Sequence, residues 1–160
     1  MITEPEKITL RDGTVIWGLG GKLHREDGPA YIGADGSEEW WVRGKLHREG
    51  GPAAKSPEGY ESWWLNGGLH RVDGPAHISS NGTKEWYLAG KQHREGGPAV
   101  IYADVSEIWY LDGRMHRDDG RATVSPGGTE GWYLNGKKVA EGEVWAIKFK
   151  KQIDEAYYET

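Results

Sequence analysis

Cysteine is absent from the 160 residues, so the chain has no disulfide, no thiolate metal site and no cysteine nucleophile. Hydrophobic residues are also scarce, at 36% against roughly 45–50% in an average globular domain. A single thick aliphatic core is therefore not expected. The nine tryptophans and eight tyrosines nevertheless separate this chain from disordered sequences, which are poor in aromatic residues.

Long apolar stretches are missing as well. No run approaches the ~20 residues that a membrane-spanning helix needs, and the first residues lack the basic and apolar regions of a secretory signal. The formal net charge of -5 argues against binding to nucleic acid or to anionic membranes, because both attract positive surfaces. We therefore expect a cytoplasmic protein that binds neither nucleic acid nor membranes.

A repeat of 23 residues runs through the sequence, as the step from His24 to His47 shows (47 − 24). The same step separates five His-Arg pairs, formed by His24, His47, His70, His93 and His116 with Arg25, Arg48, Arg71, Arg94 and Arg117. Tryptophan keeps this step at Trp17, Trp40, Trp63, Trp86, Trp109 and Trp132, and alanine keeps it at Ala30, Ala53, Ala76, Ala99 and Ala122. Such a period indicates a stack of equivalent supersecondary units.

One turn signal in each unit follows a tryptophan segment, as at Asn66-Gly67. Asn-Gly between two β-forming segments is the strongest short signal of a hairpin, because a type I′ turn needs positive φ at both positions. The equivalent turn of the preceding unit is Arg43-Gly44. A two-residue turn there places Trp41 opposite Leu46.

A second turn signal precedes each tryptophan segment, as at Asp35-Gly36. A two-residue turn there would place Tyr31 opposite Trp40, with Ala30 on the face of Trp41. Val105 stands where the other units have glycine, and this predicts a different loop at that position.

These patterns predict an all-β fold, an elongated array of antiparallel hairpins forming a single domain over residues 1–160. An N-terminal half unit is expected at 8–21, complete repeats over about 22–142, and a C-terminal cap at 143–160. In the cap, the alternation from Val144 to Phe149 predicts a strand. A short helix is expected after it, from Lys150 to Thr160, with Phe149, Ile153 and Tyr157 on one side.

The segment from Trp40 to His47 has the sequence WWVRGKLH, and the segment from Trp132 to Lys137 has the sequence WYLNGK. This pattern resembles the MORN repeat, W-x-x-N-G-K-x-H, over residues 8 to about 142. The chain differs from the family where arginine, and not glycine, follows each histidine, so it resembles a divergent MORN variant. The resemblance implies an elongated hairpin array that serves as a scaffold or binding surface. Members have been linked to membrane lipids and to dimerisation, and bacterial variants are sometimes labelled antitoxins.

The histidine and tryptophan columns are expected to be structural. A metal ion needs ligands at about 2.0–2.2 Å, whereas equivalent residues two strands apart are separated by roughly 10 Å, so no metal site is expected. Each histidine should pack on its tryptophan and hydrogen-bond a turn carbonyl. The tryptophans should form the core, and His77, outside the repeat frame, should lie on the surface.

Binding candidates are the arginine column and a second aromatic line, which together comprise Arg25, Arg48, Arg71, Arg94, Arg117, Trp41, Trp64, Tyr87 and Tyr110. One interpretation is internal: Arg48 lies opposite Glu39, and an acidic residue follows His-Arg in four of the five repeats, forming an ion-pair ladder. The other interpretation is an anion-binding strip with aromatic rings nearby.

No nucleophile elbow, phosphate loop or other catalytic motif occurs in the sequence. We therefore expect a protein that is not an enzyme, needs no cofactor, and binds a protein partner, with inhibition of a toxin or a defence enzyme as a more specific hypothesis. A homodimer is an open alternative for the partner. The alternative function is the binding of a small anionic ligand, such as a nucleotide or phosphoinositide, by the His-Arg rows.

Overall fold

The computed structural model describes residues 4–128 and 130–158, with side chains described as far as residue 155. The chain divides into two compact units, Met1–Gly90 and Lys91–Thr160. Each unit consists of short antiparallel strands, and the second also contains a helix. That the repeats form one folding domain stays a prediction.

In the first unit the strands are β1 (Glu6–Thr9), β2 (Val15–Leu19), β3 (Lys22–Leu23), β4 (Tyr31–Ile32), β5 (Glu38–Glu39), β6 (Trp41–Val42), β7 (Lys45–Leu46), β8 (Ala54–Lys55), β9 (Glu61–Ser62), β10 (Trp64–Leu65), β11 (Gly68–Leu69), β12 (His77–Ile78), β13 (Lys84–Glu85) and β14 (Tyr87–Leu88). The second unit contains β15 (Lys91–Gln92), β16 (Val100–Ile101), β17 (Glu107–Ile108), β18 (Tyr110–Leu111), β19 (Arg114–Met115), β20 (Thr123–Val124), β21 (Tyr133–Leu134), β22 (Lys137–Lys138) and the helix α1 (Glu141–Tyr158).

Two rows of hairpins make up each unit. In the first unit a sheet runs in the order β1-β2-β4-β5-β8-β9-β12-β13, and β6–β7 and β10–β11 form separate hairpins. In the second unit β16-β17-β20 form the sheet, while β18–β19 and β21–β22 form the hairpins. Neighbouring hairpins are joined by the backbone, since the Gly67 N–H donates to the Leu46 carbonyl at 2.9 Å. The predicted all-β hairpin array is confirmed.

The hairpin turns have the predicted geometry. Trp41 pairs with Leu46, and the turn residues between them have positive φ, 51° at Arg43 and 76° at Gly44. The same pair of positive φ angles recurs at Asn66-Gly67. A type I′ turn therefore closes these hairpins.

The register across the other turn differs from the prediction by one residue. Tyr31 pairs with Glu39 and not with Trp40, because the loop has three residues and is closed by the Gly33 N–H donating to the Ser37 carbonyl at 2.8 Å. A shift of one residue exchanges the two faces of a strand. The repeat alanines are level with a tryptophan across the other strand pairing, since the Trp17 N–H donates to the Ala30 carbonyl at 2.8 Å and the Trp40 N–H donates to the Ala53 carbonyl at 2.7 Å.

The expectation of a different loop at Val105 is wrong. The Val105 N–H donates to the Tyr102 carbonyl at 3.0 Å, as the glycine of the equivalent turns does. Val105 has φ of 61° and is 70% exposed. A β-branched residue is thus held in the left-handed region, a strained conformation for its side chain.

Alanine, and not tryptophan, forms the most deeply buried column. The repeat alanines are fully buried, at 0% exposure, in both units: Ala30, Ala53, Ala76, Ala99 and Ala122. The tryptophans of the repeat are half-buried. The expectation that the tryptophans form the core is therefore wrong: the alanines form it.

The C-terminal cap is helical from Glu141, so the strand predicted over Val144 to Phe149 is wrong. The Ala140 N–H donates to the Glu143 carboxylate at 3.0 Å, which is one of the two bonds of a capping box and satisfies an N–H group at the start of the helix. Val144 is fully buried, whereas Phe149 and Ile153 are exposed. The side chain of Tyr157 lies outside the described residues. In the described part of the chain, no helix is both long and apolar enough to cross a membrane.

We predict that Val105→Gly stabilises the protein by about 1 kcal/mol or more, because glycine adopts positive φ without the strain of a branched side chain. The melting temperature should rise by about 2–4 °C in a thermal unfolding experiment. Val105→Ala is the control, since it retains a Cβ at positive φ and should recover only part of the gain. An unchanged or lower melting temperature for Val105→Gly would contradict the strain.

Candidate functional site

Four of the repeat arginines lie over the tryptophan of their own repeat. The guanidinium carbon is 4.2 Å from the ring centroid for Arg25 over Trp17, 3.8 Å for Arg48 over Trp40, 3.9 Å for Arg71 over Trp63 and 3.8 Å for Arg117 over Trp109. A cation at this distance is attracted to the negative face of the ring, by about 0.5–1 kcal/mol at exposed sites and more where water is excluded. In these four repeats an arginine covers one face of the half-buried tryptophan.

A glycine lies against each guanidinium. A Cβ added to Gly28 would be 2.8 Å from the guanidinium carbon of Arg25, and one added to Gly51 would be 3.0 Å from that of Arg48. Any larger residue would push the arginine away from its place. The same close approach occurs at Gly74, Gly97 and Gly120. The glycine at this position of each repeat therefore gives the guanidinium room to pack against the backbone.

The guanidinium edge is held as well. Nη1 donates to a backbone carbonyl four residues further along in every repeat: Pro29 at 3.4 Å, Pro52 at 3.0 Å, Pro75 at 3.2 Å, Pro98 at 3.1 Å and Arg121 at 3.2 Å. This bond fixes the rotation of the guanidinium plane. The arginine column is thus part of the repeat architecture.

An aspartate completes three of the five arginine sites. Nε donates to Asp27 at 2.8 Å from Arg25, to Asp73 at 2.9 Å from Arg71 and to Asp119 at 2.7 Å from Arg117. The hydrogen bond from the arginine side chain, followed by the attraction of its charge, lowers the pKa of the Asp27 and Asp73 carboxyls. The Arg117 hydrogen bond likewise lowers the pKa of the Asp119 carboxyl.

In the other two repeats, glycine replaces this aspartate. Gly50 and Gly96 occupy the position and have positive φ, 75° and 70°, whereas the aspartates do not. The loops after histidine are therefore of two types, Arg-x-Asp-Gly and Arg-x-Gly-Gly. The internal ladder expected at Arg48 is absent: Glu39 accepts a hydrogen bond from Trp41 Nε1 at 2.7 Å, and no ion pair joins Arg48 to any carboxylate in the described part of the chain.

Each repeat histidine connects two repeats. The Nδ1 atom accepts a hydrogen bond from the N–H of the first turn residue of the next hairpin, at 3.1 Å from Arg43 to His24 and at 3.1 Å from Asn66 to His47. The corresponding bonds to His70, His93 and His116 come from Ala89, Asp112 and Asn135. The predicted bond to a turn carbonyl is wrong, because the turn presents an N–H group to the ring. Where Nδ1 accepts, the neutral ring carries its proton on Nε2.

The second aromatic line is half-buried. Trp41 Nε1 donates to Glu39, Trp64 Nε1 donates to the Ser62 hydroxyl at 2.8 Å, and the Tyr87 hydroxyl donates to Glu85 at 2.8 Å. Tyr110 is half-buried too. Each of these three polar atoms bonds to a side chain two residues earlier in the chain, so Trp41, Trp64 and Tyr87 offer ring faces and edges to a partner.

The prediction that His77 lies on the surface is wrong. Its side chain is 27% exposed, and its ring packs edge-on against Tyr60, with the ring centroids 5.4 Å apart. Glu85 lies 3.8 Å from its Nδ1.

Shallow grooves lie between successive His-Arg loops in the first unit. One groove of about 480 Å³ has Trp40, Val42 and His47 among its lining residues and is bounded by the loop segments 25–28 and 48–49. A second, of about 460 Å³, lies between the segments 48–51 and 70–73. A third, of about 430 Å³, lies beside Trp17 and His24.

Acidic side chains surround these grooves. Asp27 and Asp73 line them and are each 83% exposed. Glu26 is 75% exposed, and Glu49 lines two of the grooves and is also exposed. The arginines that line the grooves, in contrast, stack one face of the guanidinium on a tryptophan and donate Nη1 to a backbone carbonyl. Carboxylates outnumber arginines in the grooves of about 480 and 430 Å³, whereas the groove of about 460 Å³ is lined by equal numbers of the two. A repeat tryptophan lines each groove.

No three histidine, aspartate or glutamate side chains within residues 4–128 and 130–158 are close enough together to hold a metal ion. The repeated His-Arg arrangement places each repeat histidine against a backbone N–H, and it places Arg25, Arg48, Arg71 and Arg117 against a tryptophan ring. Neither residue type is positioned beside a hydroxyl nucleophile in the contacts described above.

The aspartates and glycines of the loops were missed by sequence reasoning, although their signal was present. The tetrapeptides at 25–28, 71–74 and 117–120 are Arg-x-Asp-Gly, and those at 48–51 and 94–97 are Arg-x-Gly-Gly. The acidic residue directly after the arginine, as Glu26 is after Arg25, does not pair with that arginine; the next residue, Asp27, does.

We predict that the Asp73 carboxyl titrates below the ordinary value of about 3.9, and that Arg71→Gln raises its pKa. Because the folded pKa lies below the unfolded one, the stability from this pair is present above about pH 4 and is lost as the pH falls through the folded pKa. Carbon-13 NMR of the Asp73 side chain across an acid titration measures this. A midpoint that Arg71→Gln leaves unchanged would show that the arginine is not its cause.

No protein-family model matches this chain. No curated protein matches it in sequence either. A functional assignment therefore depends on the arrangement of the loops and grooves.

Proposed function

We propose that this chain is a non-enzymatic, MORN-like repeat protein that binds a protein partner along the edge formed by its His-Arg loops. The observation that carries the proposal is the recurrence, in the first unit, of grooves that each combine a repeat tryptophan with exposed carboxylates of the His-Arg loops. Recurring equivalent grooves suit an extended partner segment better than a single small ligand. Charge complementarity favours a partner segment rich in lysine or arginine.

The repeat spacing supports an extended segment. Each repeat adds two strands to the sheet, as β4 and β5 or β8 and β9 do, so successive grooves are roughly 10 Å apart at ~4.8 Å per strand. An extended polypeptide advances ~3.3 Å per residue. Every third residue of a bound segment would therefore meet an equivalent groove.

The alternative function, a small anionic ligand held by the His-Arg rows, has less support. Stacking, a proline carbonyl and an aspartate already engage Arg25 and Arg71. The exposed carboxylates beside them would repel a nucleotide or a phosphoinositide.

The more specific form of the proposal is an inhibitor or antitoxin-like protein acting on a toxin or a defence enzyme. Its support is the resemblance of the repeat to the MORN pattern, together with a surface suited to covering a basic segment. The setting we propose is the cytoplasm, where a chain without cysteine loses no disulfide stabilisation.

We predict that a synthetic peptide with lysine at every third position binds more tightly than a peptide of the same composition with its lysines clustered at one end. Fluorescence anisotropy of the labelled peptides measures both affinities. Glu49→Gln should weaken binding of the spaced peptide about two- to five-fold, the range expected for one exposed ion pair. Glu58→Gln is the matched control, because it removes the same charge from an exposed turn away from the grooves.

Equal affinity for the two peptides, or equal effects of Glu49→Gln and Glu58→Gln, would indicate nonspecific attraction and contradict the groove proposal. Stoichiometric binding of a nucleotide or inositol phosphate that Arg71→Ala abolishes would favour the alternative function.

A further inference from the structure

Arg48 differs from Arg25 and Arg71 because no carboxylate of the described part of the chain pairs with its Nε. Its plane is stacked on Trp40 at 3.8 Å, and its Nη1 donates to the Pro52 carbonyl at 3.0 Å. At Arg25 and Arg71, Nε is occupied by an aspartate carboxylate. At Arg48, Nε has no carboxylate partner in the described part of the chain, because Gly50 stands in place of the aspartate.

The open edge is the one that binds carboxylates best. With Nη1 committed to the carbonyl, Nε and Nη2 present two parallel N–H donors, the geometry that pairs with both oxygens of a carboxylate. Stacking on Trp40 and the bond to Pro52 hold this edge in place before any ligand arrives, which reduces the entropic cost of binding.

No side chain fills the position at Gly50 that the aspartate takes in the neighbouring repeats. Gly50 is exposed, and a Cβ built on it would meet no atom within 4 Å. Arg48 also lines both of the larger grooves, so a segment lying in either groove passes its side chain.

We propose that Arg48 is a binding site for an external carboxylate, which occupies the place that Asp27 and Asp73 take in the neighbouring repeats. The chain itself demonstrates the ligand chemistry, since a carboxylate is what the equivalent arginines bind. Within the proposed function, on which this part rests, the carboxylate is an aspartate or glutamate side chain of the partner protein. Glu49 and Asp73 line the same groove, so the acidic residue of the partner should be flanked by basic ones.

The test uses sodium acetate as the probe and the arginine Nε–H signals in nitrogen-15 NMR spectra of the full chain. Arg48→Lys identifies the Arg48 signal by its loss. We expect acetate to shift the Arg48 Nε–H signal saturably, with a dissociation constant in the millimolar range, whereas sodium chloride of equal ionic strength does not. The Arg71 signal should not respond, because Asp73 occupies its Nε.

Asp73→Gly is the matched variant, since it converts the Arg71 loop to the Arg-x-Gly-Gly type. In this variant the Arg71 signal should respond to acetate as the Arg48 signal does. If Asp73→Gly does not fold, the acetate-induced shifts of the Arg48 and Arg71 signals in the unaltered protein still test the proposal. An Arg48 signal that acetate does not shift, or that shifts no more than the Arg71 signal, overturns the proposal. Failure of the lysine peptide to bind would leave this result intact, so the two proposals fail separately.

Discussion

An arginine guanidinium packed between an indole ring and a glycine is the contact on which the repeat depends. The chain has few aliphatic residues, and its repeat alanines are too small to cover a tryptophan face. The arginine covers that face with a flat, weakly hydrated cation, and its methylene groups add apolar contact. This arrangement explains three columns together: tryptophan supplies the ring, arginine covers it, and glycine permits the approach, as Gly28 does for Arg25. A larger residue at the glycine would displace the arginine and expose the ring.

Histidine adds the connection between units. Its Nδ1 accepts an N–H from the turn of the following hairpin, as His24 does from Arg43, so that each loop is tied to the next one. The arginine and histidine contacts leave the exposed loop positions free to vary, and there the repeats differ: glutamate at 26 and 49, valine at 72, and aspartate or glycine at the position after these. A constant framework with variable loop edges is the arrangement expected of a binding surface.

Much of the fold could be predicted because the repeat signals are local. Asn66-Gly67 suits positive φ at both turn positions, and the hairpin follows from it. Asp35-Gly36 fits a two-residue or a three-residue loop, so the sequence left the face of Trp40 undetermined until the register was observed. In the cap, apolar residues that alternate over only six positions fit a strand or a helix. The contact between Glu143 and the Ala140 N–H stabilises the start of the helix. The arginine–tryptophan stacks were missed because they join residues of different segments of the repeat, whereas the Arg-x-Asp-Gly pattern is local to one loop.

The most direct test of this account is a double-mutant cycle on Trp63 and Arg71, with Trp63→Leu, Arg71→Met and the double variant compared by chemical denaturation. If the stack stabilises the repeat, the two substitutions should be coupled by about 1–2 kcal/mol, so that the second costs less once the first has been made. Losses in unfolding free energy that add within about 0.5 kcal/mol would contradict it, since the ring and the guanidinium would then contribute independently.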